Sequence, residues 1–422
     1  YEYTDESQEI YIAKTIGDHY FDLDIARLRY FGGTTNHWNG WCRSFEEEDF
    51  KRGYLGEEYK WPITLKDIDP FKEKACNILE IPTSFKDSYL ENSKIEKIEF
   101  HFSPPVRFRD KYYKDLISNP KVHVFLNANL TDVQHEKKNI NSLNLSSYNG
   151  IKANVKANEY VFAMGGIENS RYLLWLYKKY KNNFISNGNS LGRYWMEHPH
   201  FTLGQAIVDR RKVNEKYYSL SAEAQKNMGI LNCGFRMIEL NDSGLKGLLR
   251  EILCVAPTIG KSLASLAERN LICGVMFRAA WEQAPHYENR ITLDNEIDKF
   301  GIPKPILNWQ KKALDRKTVM KSIEVFNQWL LEIDGGRIQL DNWLINQKNY
   351  PTNDELAGYH HMGGTRMHEN PKLGVVDKNC KVFGSDNLYM AGSSVFTTGG
   401  HNNPTLPIVQ IALRLANHLV SK

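Results

Sequence analysis

Apolar and polar positions alternate along this chain with two periods, near two in some stretches and near 3.6 in others. Period two predicts strands at Val122–Leu126, over 130–136, 140–147 and 151–157, and at Glu159–Met164. Asn149-Gly150 separates the last two of the middle three. Asn-Gly is a strong hairpin signal, so these three read as a small antiparallel meander. Alternation returns at 201–208, 228–237, Leu271–Trp281 and Arg290–Leu293, which predicts a second, antiparallel sheet; a polar loop over 209–226 and a helix over 244–268 interrupt it. Helical spacing marks Glu168–Tyr180 and Ala313–Ile333, the latter with a core stripe of Val319, Ile323, Val325, Phe326, Trp329, Leu330 and Ile333. Asp69-Pro70 predicts a helix through about Leu79, since Asp caps well and Pro suits the first turn. Residues 84–117, with Pro104-Pro105, read as irregular. A last helix is predicted from Pro404 to about Val420, apolar at 408, 409, 412, 413, 415, 416 and 419.

Between these elements lie turns dense in glycine and short polar side chains. Glycine permits close approach of backbone to a ligand, and such turns offer N–H groups and hydroxyls to it. One turn runs Gly32-Gly33-Thr34-Thr35-Asn36-His37-Trp38-Asn39-Gly40. Gly165-Gly166 joins a strand to a helix, an arrangement that suits the edge of a dinucleotide site. Leu191–Pro199 is a turn of aromatics in which His198, ahead of a Pro, reads as a packed structural histidine. Near the C-terminus come Tyr359-His360-His361-Met362-Gly363-Gly364-Thr365, then Ala391-Gly392-Ser393-Ser394, then His401-Asn402-Asn403-Pro404-Thr405. Asn403 reads as an N-cap and Pro404 as the first turn of the last helix, whose N–H groups favour an anion.

Composition narrows the partners. The 422 residues are 41% hydrophobic and 25% charged, with a net charge of +4, the balance of a globular chain with no concentrated basic tract. Nothing calls for nucleic acid, and no apolar run reaches membrane-span length. The six cysteines form no Cys-x-x-Cys pair; they read as buried thiols, which leans towards a reducing, cytoplasmic compartment. No metal site is expected.

The order of these turns resembles the glucose-methanol-choline (GMC) flavoprotein oxidoreductases. The resemblance implies an α/β fold with FAD as cofactor: a discontinuous Rossmann-like FAD-binding domain over 1–60, 118–200 and 356–422, and an α+β substrate domain built on an antiparallel sheet over 61–117 and 201–355. The family's Gly-x-Gly-x-x-Gly fingerprint is not found in this sequence. The first βαβ unit is therefore expected to lie outside it, to come from another chain, or to have been lost with cofactor binding. The resemblance assigns Gly32, Gly33, Thr34, Asn36, His37, Trp38 and Asn39 to the flavin and ribityl chain, and the main chain of Leu130 to adenine. It assigns Ala163 and Gly165 to the dinucleotide edge, Gly392 and Ser393 to the pyrophosphate or ribityl chain, and Asn403, Pro404 and Thr405 to the flavin N1–C2=O edge. Thr-Asn-His-Trp is similar to the Ser-Thr-His-Trp of the pyranose-oxidase branch, which implies that His37 is either joined covalently to flavin or simply packed in its loop.

Alcohol oxidation removes a hydroxyl proton and a hydride from one carbon, and a neutral imidazole is a suitable proton acceptor near pH 7. The family's His-x-x-Gly-Thr places the base at His361, with His360 as the alternative. Asn403 would hold the substrate oxygen, His401 would line the pocket, and Phe277–Pro285 would line it from the sheet side. The expected activity is FAD-dependent oxidation of a pyranose or glycoside ring hydroxyl, with electrons passing to an acceptor the sequence does not identify. Alternatives are a non-sugar alcohol, or a flavin-free subunit that only binds carbohydrate.

Overall fold

A computed structural model describes residues 6–422 except 91–92, 182, 187, 210–211, 214–215, 240–273, 347–348 and 354–357. Every second residue of the strand Gly274–Trp281 is buried, as period-two alternation requires when one sheet face meets a core. That face packs on the helix Ala313–Glu332: Phe326 stacks on Phe277 at 5.3 Å and lies 5.0 Å from Phe235, centroid to centroid. The sheet has seven antiparallel strands, in the order Gly336–Leu340, His200–Val208, Gly274–Trp281, Cys233–Glu239, Tyr217–Leu220, Ile95–Lys97, Ser88–Tyr89. Four of its elements depart from the expected pattern: no strand was expected at Gly336–Leu340, while Arg290–Ile297, expected in this sheet, pairs in another. Ser88–Tyr89 and Ile95–Lys97 come from the stretch read as irregular, and Tyr217–Leu220 from the stretch read as a polar loop. Cross-strand pairing supplies what their own short alternation does not. The helix predicted over 244–268 lies outside the described residues.

The second core gathers around the strands Asn129–Glu136, Asn139–Ser146 and Lys152–Val155, which form the predicted meander. The helix Glu168–Tyr180 buries Tyr172, Leu173 and Leu176 against it. The same core holds a parallel pair, Tyr160–Phe162 with Leu388–Met390. A third sheet, Lys14–Gly17 parallel to Pro303–Trp309 and the latter antiparallel to Arg290–Ile297, ties the regions together. Beneath it Arg171 bonds Glu168 and Asp298 at 2.9 and 2.6 Å, and Arg27 takes the other Glu168 oxygen at 2.8 Å. Removing any one of these buried charges strands its partner, so the set specifies how the helix meets the sheet.

Two further expectations are corrected. Val122–Leu126 is not a strand; Val124, Phe125 and Leu126 are exposed (41, 71 and 64%). Among the described residues no neighbouring strand takes its backbone bonds, and alternation alone cannot bury a side chain. The helix expected from Asp69 begins earlier: Thr64 and Asp67 form a capping box over Leu65–Ile68, Asp69–Phe71 continues as a 3-10 turn, and Lys72–Leu79 completes it. Cys42, Cys76, Cys233 and Cys380 are buried free thiols. No described helix is long and apolar enough to cross a membrane.

Candidate active site

Parallel pairing of Tyr160–Phe162 with Leu388–Met390 sets their carboxyl ends side by side, where open α/β sheets bind ligands. Asn169 locks the two exits together: its amide nitrogen donates to the Ala391 carbonyl (2.9 Å) and Ser394 Oγ (2.8 Å), and its oxygen accepts from the Met164 N–H (3.0 Å). Gly165 (φ +89°) and Gly392 (φ +102°) sit at these exits, and a Cβ on either would meet no described atom within 4 Å. Both therefore border open space, and Ala163 is exposed beside them. The helix Thr405–Val420 starts without a side-chain cap. Expected as that cap, Asn403 turns its amide elsewhere, which leaves the first-turn N–H groups for another acceptor. Open glycine-bordered backbone and an uncapped helix start fit a polar, anionic dinucleotide such as FAD.

The 32–40 turn forms a 3-10 helix over Gly33–Asn36. Several of its polar groups serve the turn itself. Asn36 donates to the Phe31 and Gly33 carbonyls (3.0 and 2.8 Å), and the Trp38 indole to the Val106 carbonyl (2.8 Å). Arg107 donates to the Thr35 and Trp38 carbonyls (2.8 and 2.9 Å). Trp38 also packs on the cluster containing Leu406 and Val409, which brings the turn to the last helix. Thr34 and Asn39 are exposed, and Gly33 borders open space, whereas a Cβ on Gly32 would strike the Arg109 backbone at 2.8 Å. His37 is half-buried, and burial with nearby Arg107 lowers its pKa. The Leu130 carbonyl already accepts from the Tyr172 hydroxyl (3.0 Å).

The two adjacent histidines face apart. The backbone at 361 is held by the Ser393 hydroxyl, which donates to the His361 carbonyl at 2.6 Å, and by Gly166, where a Cβ would lie 2.2 Å from that carbonyl. Beyond it, the N–H groups of Gly363, Thr365 and Met367 bond the carbonyls of Ser393, Ser394 and Val395. His361 points into an aromatic core with Tyr20 and Trp195, its Nε2 3.0 Å from the Tyr20 hydroxyl, which donates onward to Glu197 Oε2 at 2.6 Å. Burial, then the charge of Arg27, bring its pKa down to about 3.

His360 faces the other way. Its N–H donates to both Glu197 oxygens (2.8 and 3.0 Å), its Nδ1 lies 2.7 Å from Nδ1 of His198, and its Nε2 lies 3.1 Å from Nδ2 of Asn403. His198 Nε2 in turn meets the Gly400 carbonyl at 2.6 Å. Reciprocal bonds between Met196 and Met362 hold the two turns together. The expected meeting of His361 with Asn403 is thus corrected: the imidazole at Asn403 is His360. Consecutive side chains diverge, and Ser393 and Tyr20 claim the second one. Burial first, then the nearby histidines 198, 200 and 361, hold His360 well below its usual pKa, and burial brings His198 to about 4.

His401 lies beside this pair, 4% exposed and edge-on to Phe100, with neither ring nitrogen hydrogen-bonded among the described residues. The oxygen of Asn402 is likewise unpartnered, while its nitrogen holds the Ser44 carbonyl (2.6 Å). The Phe277–Pro285 stretch reaches the site only in part: its Ala280 pairs with His200 and Gly234, and a Cβ on Gly234 would lie 2.7 Å from the His401 ring. Phe277 and Trp281 face the sheet core, Glu282 pairs with Arg52 (3.4 Å), and Gln283 accepts from the Glu197 N–H (2.9 Å), a support from behind. Glu197 and Tyr20 escaped the sequence reading, which took His198 only as a packed structural histidine. The available signal was an acid and a histidine together in a turn otherwise made of aromatics.

A sequence model described as GMC oxidoreductase matches residues 285–412. The large subunit of fructose dehydrogenase from Gluconobacter japonicus is 25% identical over 279 residues, covering 63% of this chain and 48% of that one. The chain thus spans about half the length of that relative. A 2-methyl-1,2-propanediol dehydrogenase from Mycolicibacterium austroafricanum is 22% identical over 453 aligned residues, covering 92% and 80%. Among solved structures, a formate oxidase from Aspergillus oryzae, studied for modification of its FAD, superposes with a TM-score of 0.53 at 12% identity, covering 98% of this chain and 90% of its own. That similarity is one of fold.

Proposed function

We propose that this chain, whose residues 285–412 match the GMC oxidoreductase model, is a member of that family that oxidises an alcohol with FAD, and that His360 is the base and Asn403 the oxygen-holding partner. The carrying observation is the 3.1 Å contact between His360 Nε2 and Asn403 Nδ2. When bound, FAD supplies the hydride acceptor. The residues that hold it are Gly33, Thr34 and Asn39 on the 32–40 turn, Ala163 and Gly165, Gly392, and the first turn of the Thr405 helix. Ser393, Asn36, Trp38 and Pro404 shape that surface, and Leu130 and His37 stand with it as further contacts. A substrate hydroxyl replaces the direct contact between the two: Nε2 of His360 takes its proton, and the Asn403 amide turns to donate to its oxygen. On this reading 1–60, 118–200 and 356–422 carry the cofactor, and 61–117 with 201–355 close over the substrate. The seven-stranded sheet, drawn from 88–97 and 200–340, supports that division.

For the substrate we favour a sugar hydroxyl. His401 and Asn402 carry buried, unpartnered polar atoms next to Asn403, and a polyhydroxylated ligand provides partners for them. A small aliphatic diol is the second reading, since the propanediol dehydrogenase covers 92% of the chain. Anaerobic mixing with a panel of sugars and small diols, followed by flavin bleaching, tests both. Bleaching by none of them would remove the proposal.

A further inference from the structure

We propose that His198 is a positioning residue which fixes the tautomer of His360, using the Gly400 carbonyl as the anchored end of the chain. The inference rests on the reading of His360 as base. A carbonyl oxygen has no proton to give, so in the 2.6 Å contact with Gly400 the proton sits on His198 Nε2. A neutral imidazole carries one N–H, so His198 Nδ1 is bare. His360 Nδ1 lies 2.7 Å away; two bare nitrogens at that distance would repel, so His360 carries its proton on Nδ1. Its Nε2 therefore carries the bare lone pair, which accepts from the Asn403 amide nitrogen until a substrate hydroxyl takes that place.

The alternative tautomer would put an N–H where a substrate hydroxyl proton has to go. A doubly protonated His198 would have the same effect, by donating to His360 Nδ1 and driving the proton to Nε2. The groups facing the two rings are few: Glu197 takes the backbone N–H of both residues and not the rings, and the nearby ionisable side chains are His200, His361 and His401. After proton uptake His360 still donates from Nδ1 to His198, so the ring keeps its orientation through the step. His198 touches neither substrate nor cofactor in this scheme.

The test is the imidazole nitrogen spectrum of holoenzyme labelled with 15N-histidine, with His360 assigned by the signals lost in His360→Gln. The proposal requires the Nδ1–H form of His360 in the parent protein. His198→Gln should keep it, because the amide nitrogen can donate to Gly400 and the amide oxygen can accept from His360; flavin reduction should stay within about 3-fold. His198→Leu should move the proton to Nε2 and slow reduction about 10²-fold at unchanged half-saturation. An Nε2–H signal in the parent protein, or an Nδ1–H signal persisting in His198→Leu, overturns the proposal; the parent spectrum alone decides if the Leu variant does not fold. A tautomer that moves as expected with no change in reduction rate would leave the relay standing and remove His360 as base.

Discussion

The Asn403 amide nitrogen stands 3.1 Å from His360 Nε2 although 43 positions separate the two residues. A proton acceptor and a hydrogen-bond donor thus converge on one point, and the neighbour His361 is excluded from it by its bond to Tyr20.

Exchanging the two histidines separately gives opposite outcomes. His360→Ala should slow anaerobic flavin reduction by about 10²–10⁴-fold, the usual worth of a general base. His361→Leu should keep reduction within about tenfold and lower thermal stability by about 0.5–1.5 kcal/mol, since it removes one buried hydrogen bond to a Tyr20 hydroxyl that keeps its bond to Glu197. Stopped-flow reduction and thermal melting of both variants separate chemistry from packing; a slower His361→Leu than His360→Ala would return the base to residue 361.

Asn403→Ala removes a donor and leaves the base. Loss of one hydrogen bond to an oxygen gaining charge is worth about 1.5–3 kcal/mol, which is a reduction rate slower by about 10–100-fold. No change in that rate would take Asn403 out of the site.

Burial and neighbouring histidines hold His360 well below its usual pKa. The neutral ring is the competent form, so activity is lost only as pH falls through that lowered value. The acid limb of the reduction rate should lie well under 6.5, the ordinary histidine value. Glu197, which accepts the His360 N–H, titrates near 7 and adds at most a shallow inflection there. A full acid limb at 6.5 or above would contradict the burial of His360.

Burial raises the Glu197 carboxyl from 4.5 to about 7, against donation from Tyr20 and the His198 and His360 N–H groups. Between those values the folded state holds a proton that the unfolded state has released, so this group's contribution to stability falls as pH rises through the window. Glu197→Gln cannot ionise. Relative to the parent, it should gain up to about 3 kcal/mol between pH 5 and pH 8, read from denaturation curves at both pH values. A difference that stays constant would show that Glu197 does not titrate in this range.

Adjacent glycines at the strand exit should behave differently. Gly166→Ala drives a Cβ to 2.2 Å from the His361 carbonyl, and backbone there cannot step aside; a loss of about 1–3 kcal/mol and slower reduction are expected. Gly165→Ala meets no described protein atom and bears only the left-handed φ cost of about 1–2 kcal/mol. Its effect should instead appear as a lower ratio of flavin to protein absorbance after purification, since the added methyl occupies the space assigned to FAD.

Much of the framework was readable from local pattern. The meander declares itself through Asn149-Gly150 and alternating apolar residues, and the last helix through its apolar stripe and Asn-Pro start; both are found where predicted. Local pattern failed where a neighbour decides the outcome. Val122–Leu126 alternates and yet forms no strand, while Tyr217–Leu220 hardly alternates and is one, because a strand exists only where another chain segment answers its backbone.

At the site the division is the same. Sequence placed glycines, histidines and an Asn-Pro helix start at recognisable spacings, because covalent order controls which groups are near each other along the chain and which turns they can make. It pointed to His361 where the imidazole at Asn403 is His360, and it gave His198 only as a packed structural histidine. Those answers depend on contacts with Ser393, Tyr20, Glu197 and Gly400, groups remote in the chain. Ring direction and proton position are set by such partners, and only packing brings them within a hydrogen bond's reach.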